Sequence, residues 1–102
     1  MKFIILSIVL IFTHSSYAEE FEAGQKNKQF PFKELTIKPN DTVSFPNYDS
    51  FYHNIYSLSE NKSFDLGSYP KGETRKVVFE MPGVYYVECA IHPHMQLTIN
   101  VE

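Results

Sequence analysis

The stretch YYVECAIHPHMQL, residues 85–97, decides how this 102-residue chain folds and where its chemistry lies. In its first half Tyr85, Val87 and Cys89 alternate with other residues, which is the two-residue period of a β-strand. Leu97 begins a second strand of the same kind. Two antiparallel strands joined by a short loop form a hairpin. If the alternating face is buried, the sulfur of Cys89 points into the core at the end of its strand.

Three candidate ligands follow one another at steps of three along this loop: Cys89, His92 and Met95. A curled loop can turn such side chains to one side, and Pro93 stiffens the loop because its ring fixes its own backbone angle. His53 precedes a predicted strand and is expected to reach the same end of the fold. A thiolate, two imidazoles and a thioether form a donor set that suits copper. The sequence therefore predicts a copper site.

Other interpretations of this cysteine stay open. A free buried cysteine can pack as a small hydrophobe. A nucleophilic pair of Cys89 with a histidine would leave Met95 without a role and needs a substrate cleft that a small β-rich chain hardly offers. Zinc accepts thiolate and imidazole but not readily a thioether. His94 is expected at the exposed tip of the loop, with an alternative ligand or a partner contact as its other possible roles.

The rest of the chain is patterned as short strands separated by turns. Residues 35–37 and 42–45 alternate on either side of a Pro-Asn-Asp turn and are predicted to pair as a hairpin. Strands are also predicted at 53–58, 74–79, 84–89 and 97–101, with weaker candidates near Phe21 and at 64–69. Helical periodicity is missing from every window of useful length. Seven or eight strands of this kind indicate an all-β, antiparallel β-sandwich.

The first 18 residues have the pattern of a secretory signal peptide. A positive charge at Lys2 precedes an apolar run over residues 3–12, and the small residue Ala18 marks the predicted cleavage point. The apolar run is short for a transmembrane helix, although an uncleaved membrane tether is the alternative. We therefore expect residues 19–102 to form a single, monomeric domain. It would lie in the periplasm or otherwise outside the cytoplasm, without membrane insertion.

Composition limits what this domain can do. Lys2 is the only charged residue of the leader, so eight Lys+Arg remain against twelve Asp+Glu, a net charge of −4. The domain shows no basic patch, which argues against nucleic-acid binding. Its single cysteine excludes an internal disulfide, although exported proteins commonly have them. A bound metal is the remaining means of stabilising so small a core.

The segment Cys-x-x-His-Pro-x-Met, residues 89–95, resembles the copper-binding loop of the cupredoxins, and its short spacing is most similar to amicyanin and plastocyanin-like members. The likeness extends back through residues 35–43 and the His53-Asn54 pair, and covers roughly residues 32–101. It implies a Greek-key β-sandwich with one type 1 copper ion that changes between Cu(I) and Cu(II). By this resemblance the metal ligands would be three strong trigonal donors and one long axial donor, namely His53, Cys89, His92 and Met95.

Two positions depart from the family pattern. Gln96 stands where a glycine commonly follows the axial methionine, so the next turn is expected to differ. Ala90 replaces the hydroxyl residue that is commonly the partner of the amide corresponding to Asn54. The link between the two ligand-bearing segments is therefore expected to rest on backbone contacts.

The resemblance implies an electron carrier rather than an enzyme, because four protein ligands leave no position open for a substrate. The edge of His92 would be the electron port, and a surrounding apolar surface would dock redox partner proteins transiently. Tyr48, Phe51 and Tyr52 are candidates for the apolar rim, with ordinary loop packing as the alternative. The second hypothesis is a copper-handling protein, a chaperone or store that holds Cu(I) with the same ligands. The third is a metal-free, adhesion-like sandwich.

Overall fold

The computed structural model describes residues 17–102, which form eight β-strands joined by loops. The leader predicted for residues 1–18 lies outside the described residues, apart from its last two. Within residues 17–102 no helix has the length and apolar character needed to cross a membrane. The strands are β1 (Glu20–Glu22), β2 (Glu34–Ile37), β3 (Asp41–Pro46), β4 (His53–Ser57), β5 (Phe64–Tyr69), β6 (Thr74–Phe79), β7 (Gly83–Cys89) and β8 (Gln96–Val101).

The strands form two sheets that face each other, one with the order β1-β3-β6 and the other with the order β2-β8-β7-β4-β5. The pairs β1–β3 and β2–β8 are parallel, and the remaining pairs are antiparallel. The predicted all-β Greek-key sandwich is therefore confirmed, with parallel pairing added where β1 and β2 join the sheets.

The hairpin predicted for residues 35–37 and 42–45 is wrong, because β2 and β3 lie in different sheets. The turn between them does reverse the chain: Asn40 has a left-handed φ of 75° and the N–H of Asp41 donates to the carbonyl of Lys38. However, the backbone groups of β2 pair with β8, where Ile37 lies opposite Val101. A turn motif fixes the reversal of the chain but not the neighbour of each strand.

The side chain of Asp41 ties the start of β3 to two other segments. Its Oδ1 accepts a hydrogen bond from the backbone N–H of Glu19 at 2.8 Å, and its Oδ2 accepts one from the N–H of Lys38 at 2.8 Å. These two backbone donors lower the pKa of the carboxyl from its usual value; they outweigh the opposing effect of burial, and the charge of Lys38 adds to them. The carboxylate thereby fastens the amino-terminal strand and the β2–β3 turn together.

The alternating residues of β7 and β8 line the core, as predicted. Tyr85, Val87 and Cys89 are fully buried, and the apolar face of β8 is equally enclosed. Aromatic rings take the volume that tryptophan, missing from this sequence, would otherwise fill: Phe79 meets Tyr85 edge-on with ring centroids 5.0 Å apart. The sulfur of Cys89 therefore faces inward, as the strand period requires.

Four loops meet at one end of the sandwich, which we call the ligand end. They are the segments 23–33, 47–52, 70–73 and 90–95. β4 begins at this end with His53 and β7 finishes there with Cys89, because the two strands are antiparallel neighbours with Ile55 opposite Cys89. A strand of seven residues is about 23 Å long, so the opposite end lies roughly that distance away.

Candidate metal centre

Three of the four predicted ligands come together at the ligand end. His53 and Cys89 are fully buried at strand ends, and His92 is half-buried on the loop between β7 and β8. The Sγ of Cys89 lies 3.6 Å from Nδ1 of His53 and 3.8 Å from Nδ1 of His92. All three donor atoms lie within 4.8 Å of one another. The convergence expected from the sequence is thus present in the fold.

The spacing of these donors can be tested against the size of a metal ion. Nitrogen and sulfur ligands lie about 2.0–2.3 Å from a metal of this class, so three donors around one ion in a plane are separated by roughly 3.5–4.0 Å. The two measured separations, 3.6 and 3.8 Å, fall in this range. A thiolate with two imidazoles is also the strong-ligand set of blue copper sites. The residues present therefore fit a type 1 copper ion.

Met95, the predicted axial ligand, follows His92 by three residues on the same loop. Its side chain is buried, with only 2% of its surface exposed. Its backbone N–H donates to the carbonyl of His92 at 2.9 Å, which closes a turn and curls the loop. The thioether is thus kept inside the protein on the ligand loop. Its part as the axial ligand stays a prediction.

The ring of His53 is oriented by a carboxylate that the sequence analysis did not single out, Asp49. The Nε2 of His53 lies 2.8 Å from Oδ2 of Asp49. The same carboxylate accepts the backbone N–H groups of Asn27 at 2.7 Å and Lys28 at 3.0 Å. Asn27 and Lys28 both have left-handed φ angles, 55° and 58°, and consecutive N–H groups in such turns converge on an anion. Asp49 therefore has three donors.

This arrangement fixes which nitrogen of His53 can bind a metal. Burial alone would raise the pKa of Asp49, but the N–H of Lys28, the ring of His53 and the N–H of Asn27 together hold it below its usual value. An ionised carboxylate keeps the hydrogen on Nε2, so the lone pair of Nδ1 faces Cys89. The only sequence signal for this role is the position of Asp49 in a loop four residues before a candidate ligand.

Asn47 is a second residue that the sequence analysis missed. Its buried side-chain amide donates to the carbonyls of Phe51 at 2.8 Å and Tyr69 at 3.0 Å, while its Oδ1 accepts the N–H of Asp49 at 2.8 Å. These three hydrogen bonds stabilise the loop that contains Asp49 and attach it to the last residue of β5, Tyr69. The orientation of His53 thus depends on a network that reaches across the ligand end.

The link between the two ligand-bearing segments is made through backbone groups, as expected from the alanine at position 90. The N–H of Ala90 donates to the carbonyl of Asn54 at 2.9 Å, and the N–H of Asn54 lies 3.5 Å from the sulfur of Cys89. The Oδ1 of Asn54 is the one buried side-chain oxygen or nitrogen in residues 17–102 without a hydrogen-bond partner. The hydroxyl that Ala90 lacks would be the missing donor.

His92 lies under an aromatic side chain at the protein surface. The ring of Phe51 is 5.2 Å from the ring of His92 and 5.3 Å from that of His53. Burial lowers the pKa of His92, and the nearby positive charge of Lys28 lowers it further against the opposing effect of Asp49, so the ring is neutral at pH 7 and retains a lone pair. His94 is exposed, as predicted, and its Nε2 lies 3.2 Å from the carbonyl of Lys28.

Apolar side chains are exposed on the two loops that carry Phe51 and His92, and Phe51 is the one whose contact with the His92 ring is shown; an apolar docking surface stays a prediction. Phe51, Tyr52 and Ile91 expose 36%, 56% and 49% of their surface. Tyr48 is also exposed, but its hydroxyl donates to Glu22, away from the ligands.

Both the sequence and the fold of this chain are similar to those of known copper-binding proteins. The family model for copper binding proteins of the plastocyanin/azurin family matches residues 18–102. A reduced Cu(I) form of an amicyanin variant at pH 4 has a TM-score of 0.75 at 22% identity, covering 81% of this chain and 82% of that one. An oxidized amicyanin variant has a TM-score of 0.74 at 21% identity, covering 81% of this chain and 82% of that chain.

A copper-containing nitrite reductase from Thermus scotoductus also matches, with a TM-score of 0.75 and 26% identity over 81% of this chain. The match covers only 22% of the reductase, so this chain corresponds to about a fifth of that enzyme. No curated protein sequence matches the chain. The match over residues 18–102 and the converging Cys and His donors lead to one conclusion: the chain belongs to the plastocyanin/azurin family of copper-binding proteins, with one type 1 copper ion as its cofactor.

Proposed function

We propose that this protein is a small exported electron carrier in which His53, Cys89, His92 and Met95 hold one copper ion. The observation that carries the proposal is the convergence of one thiolate and two imidazole donors within 4.8 Å of one another at the ligand end. Copper bound to such donors supplies a one-electron couple between Cu(I) and Cu(II). With Met95 as the fourth ligand no position stays open for a substrate, which supports a carrier rather than an enzyme.

The protein's own part is to keep the donors fixed. Asp49 holds the ring of His53, and the strand pairing of β4 with β7 holds Cys89. The backbone turn from His92 to Met95 holds the rest of the loop. Donors restrained in this way need little rearrangement when the charge of the site changes, and a small rearrangement favours rapid electron transfer. The hydrogen bond from the N–H of Asn54 to the sulfur also tunes the reduction potential.

Electrons would enter and leave through His92. Its Nδ1 faces the sulfur of Cys89, so the opposite edge of the ring points away from the donors. His92 is only half-buried, which leaves part of its surface accessible to a partner. The exposed side chains of Phe51, Tyr52 and Ile91 offer an apolar surface at this point. Such a surface suits brief docking of redox partner proteins to a monomeric domain. The signal pattern of residues 1–18 supports export to the periplasm or another extracytoplasmic space.

A visible spectrum tests this function directly. Cu(II) added to the apo-protein is expected to give an intense blue band from thiolate-to-copper charge transfer, which disappears on reduction and returns on oxidation. Cys89→Ser should abolish the band because the thiolate is lost, whereas His94→Ala should retain it. A band that survives in Cys89→Ser would refute the ligand assignment. A protein that binds Cu(I) only and passes it to a chelating acceptor would instead be a copper chaperone or store.

A further inference from the structure

The loops of the ligand end carry an excess of positive charge although the domain as a whole is acidic. They contain two carboxylates, and both are engaged: Asp49 with His53 at 2.8 Å and Glu73 with Arg75 at 3.0 Å. In residues 17–102 the only other salt bridge joins Lys76 to Glu20, away from these loops. The same loops carry four exposed lysines without an ion-pair partner, which we call the lysine rim: Lys26, Lys28, Lys33 and Lys71.

Two lysines of the rim lie directly beside the candidate metal site. The Nζ of Lys28 lies 5.3 Å from the centre of the Phe51 ring, in a cation–π contact, and Phe51 packs on both imidazoles. The carbonyl of Lys28 also lies 3.2 Å from His94, which fixes this residue against the ligand loop. Lys33 borders a cleft that His94 and Met95 also line. These positive charges therefore stand next to the proposed electron port.

The negative charges of the domain are placed differently. The carboxylates nearest to the ligand end, Glu22, Glu34 and Glu88, belong to strands and face outward from the sheets. Each has a hydrogen-bond partner there: the side chains of Tyr48, Asn100 and Tyr56, respectively. Acidic residues at the opposite end lie roughly 23 Å from the ligand end. At 0.1 M ionic strength the screening length is about 10 Å, so these remote charges act weakly on a molecule docked over His92.

We propose that the ligand end docks an electron-transfer protein whose own docking face is acidic. This inference rests on the proposed function and names the partner chemistry of the same site. The exposed apolar residues around His92 form the centre of the contact, and the lysine rim pairs with carboxylates on the partner's rim. Complementary charge speeds and orients the encounter, while the apolar centre allows the pair to separate after transfer. An anionic membrane surface is the competing occupant, and it has no redox centre to offer the histidine.

Small redox probes of opposite charge test the sign of the local field. The copper-loaded, reduced protein is oxidised by ferricyanide, an anion, and by tris(phenanthroline)cobalt(III), a cation, between 0.1 M and 1 M salt. Over this range the screening length falls from about 10 Å to about 3 Å. The lysine rim predicts that added salt slows ferricyanide and speeds the cobalt complex. The overall net charge predicts the opposite, and that result would overturn the proposal.

A matched pair of variants separates local from overall charge. Replacing Lys28 and Lys33 together by Gln is expected to slow oxidation by ferricyanide at 0.1 M salt about threefold or more. Replacing Lys38 and Lys62 by Gln removes the same charge at the opposite end, and should change the rate less than about twofold. Equal effects of the two double variants would refute the role of the lysine rim.

The docking face can also be mapped without copper. Poly-L-glutamate added to the apo-protein should perturb amide NMR signals of residues 26–33 and 71–73 and leave residues 38–40 unchanged. No perturbation, or perturbation elsewhere, would contradict the proposal, and a response to phosphatidylserine vesicles but not to poly-L-glutamate would favour a membrane. If the protein failed to take up copper, the proposed function would fail while this mapping still decided the docking face.

Discussion

Substitution of Asp49 by Asn tests whether the buried carboxylate sets the metal affinity. The carboxylate accepts from three donors, the N–H groups of Asn27 and Lys28 and the Nε2 of His53. An amide has one acceptor oxygen. If that oxygen keeps Lys28 and His53, the new NH₂ group faces the N–H of Asn27, and two donors meet. If the amide turns around, its NH₂ faces Nε2 of His53, and the ring must carry its hydrogen on Nδ1, toward Cys89.

The cost can be worked out from these contacts. One buried donor left without a partner costs about 1–3 kcal/mol, and the remaining bonds lose the extra strength that an ionised acceptor gives them. We therefore expect Asp49→Asn to lower the free energy of unfolding of the apo-protein by about 2–4 kcal/mol. Loss of the group that orients a metal-binding histidine costs about 10–100-fold in metal affinity. This corresponds to about 1.4–2.7 kcal/mol of binding free energy.

Two measurements check these values. Urea unfolding of the apo-protein, followed by far-UV circular dichroism, gives the stability, and competition with a chromogenic chelator gives the Cu(I) affinity. Asp65→Asn is the matched control, because Asp65 is an exposed carboxylate on β5 that accepts only the N–H of Gly67 at 2.8 Å. The control should change stability by less than about 0.5 kcal/mol and leave the affinity unaltered. If Asp49→Asn bound Cu(I) within twofold of the parent protein, the role of Asp49 would be refuted.

The remaining predictions concern the axial ligand, acid stability and the loop network. Met95→Leu should keep copper but raise the reduction potential, by about 59 mV for each tenfold loss of affinity for Cu(II) relative to Cu(I), as measured by voltammetry; an unchanged potential would mean that Met95 is not axial. The lowered pKa of Asp41 means that its contribution to stability is complete above about pH 4 and is lost as the pH falls through the folded-state pKa. Asp41→Asn should therefore be less stable than the parent at pH 7 and lose less stability on acidification, which urea midpoints at pH 7 and pH 3 would show; parallel losses would contradict this sign. Asn47→Ala removes three hydrogen bonds, two of them buried, and should cost about 3 kcal/mol in urea unfolding. Asn61→Ala at an exposed position should cost less than about 0.5 kcal/mol, and equal costs would exclude the network.

The ligand loop could be predicted from the sequence because its signals are local. The alternation of Tyr85, Val87 and Cys89 gives the direction of the sulfur, and the spacing of Cys89 and His92 gives a loop that can curl. His53 could be placed at the same end because a predicted strand follows it. Each of these inferences needs only the period of a strand and the length of a loop.

The supporting residues could not be predicted, because their roles depend on contacts between distant segments. Asp49 acts through the N–H groups of Asn27 and Lys28, more than 20 residues away. Its loop position four residues before His53 is the only local signal, and that signal does not reveal the two backbone donors. The pairing of β2 with β8 could not be predicted for the same reason, because the two strands are neighbours in space but far apart in the sequence.

The bond between Asp41 and the N–H of Glu19 gives removal of the leader an energetic meaning. In the uncut chain this N–H belongs to a neutral peptide group, 2.8 Å from the carboxylate. Cleavage after Ala18, where the signal pattern predicts it, would turn the same nitrogen into a terminal ammonium, and the hydrogen bond into an ion pair. Maturation would then itself tighten the fold. A recombinant protein that begins even one residue before Glu19 would keep the hydrogen bond to Asp41 but lack the ion pair.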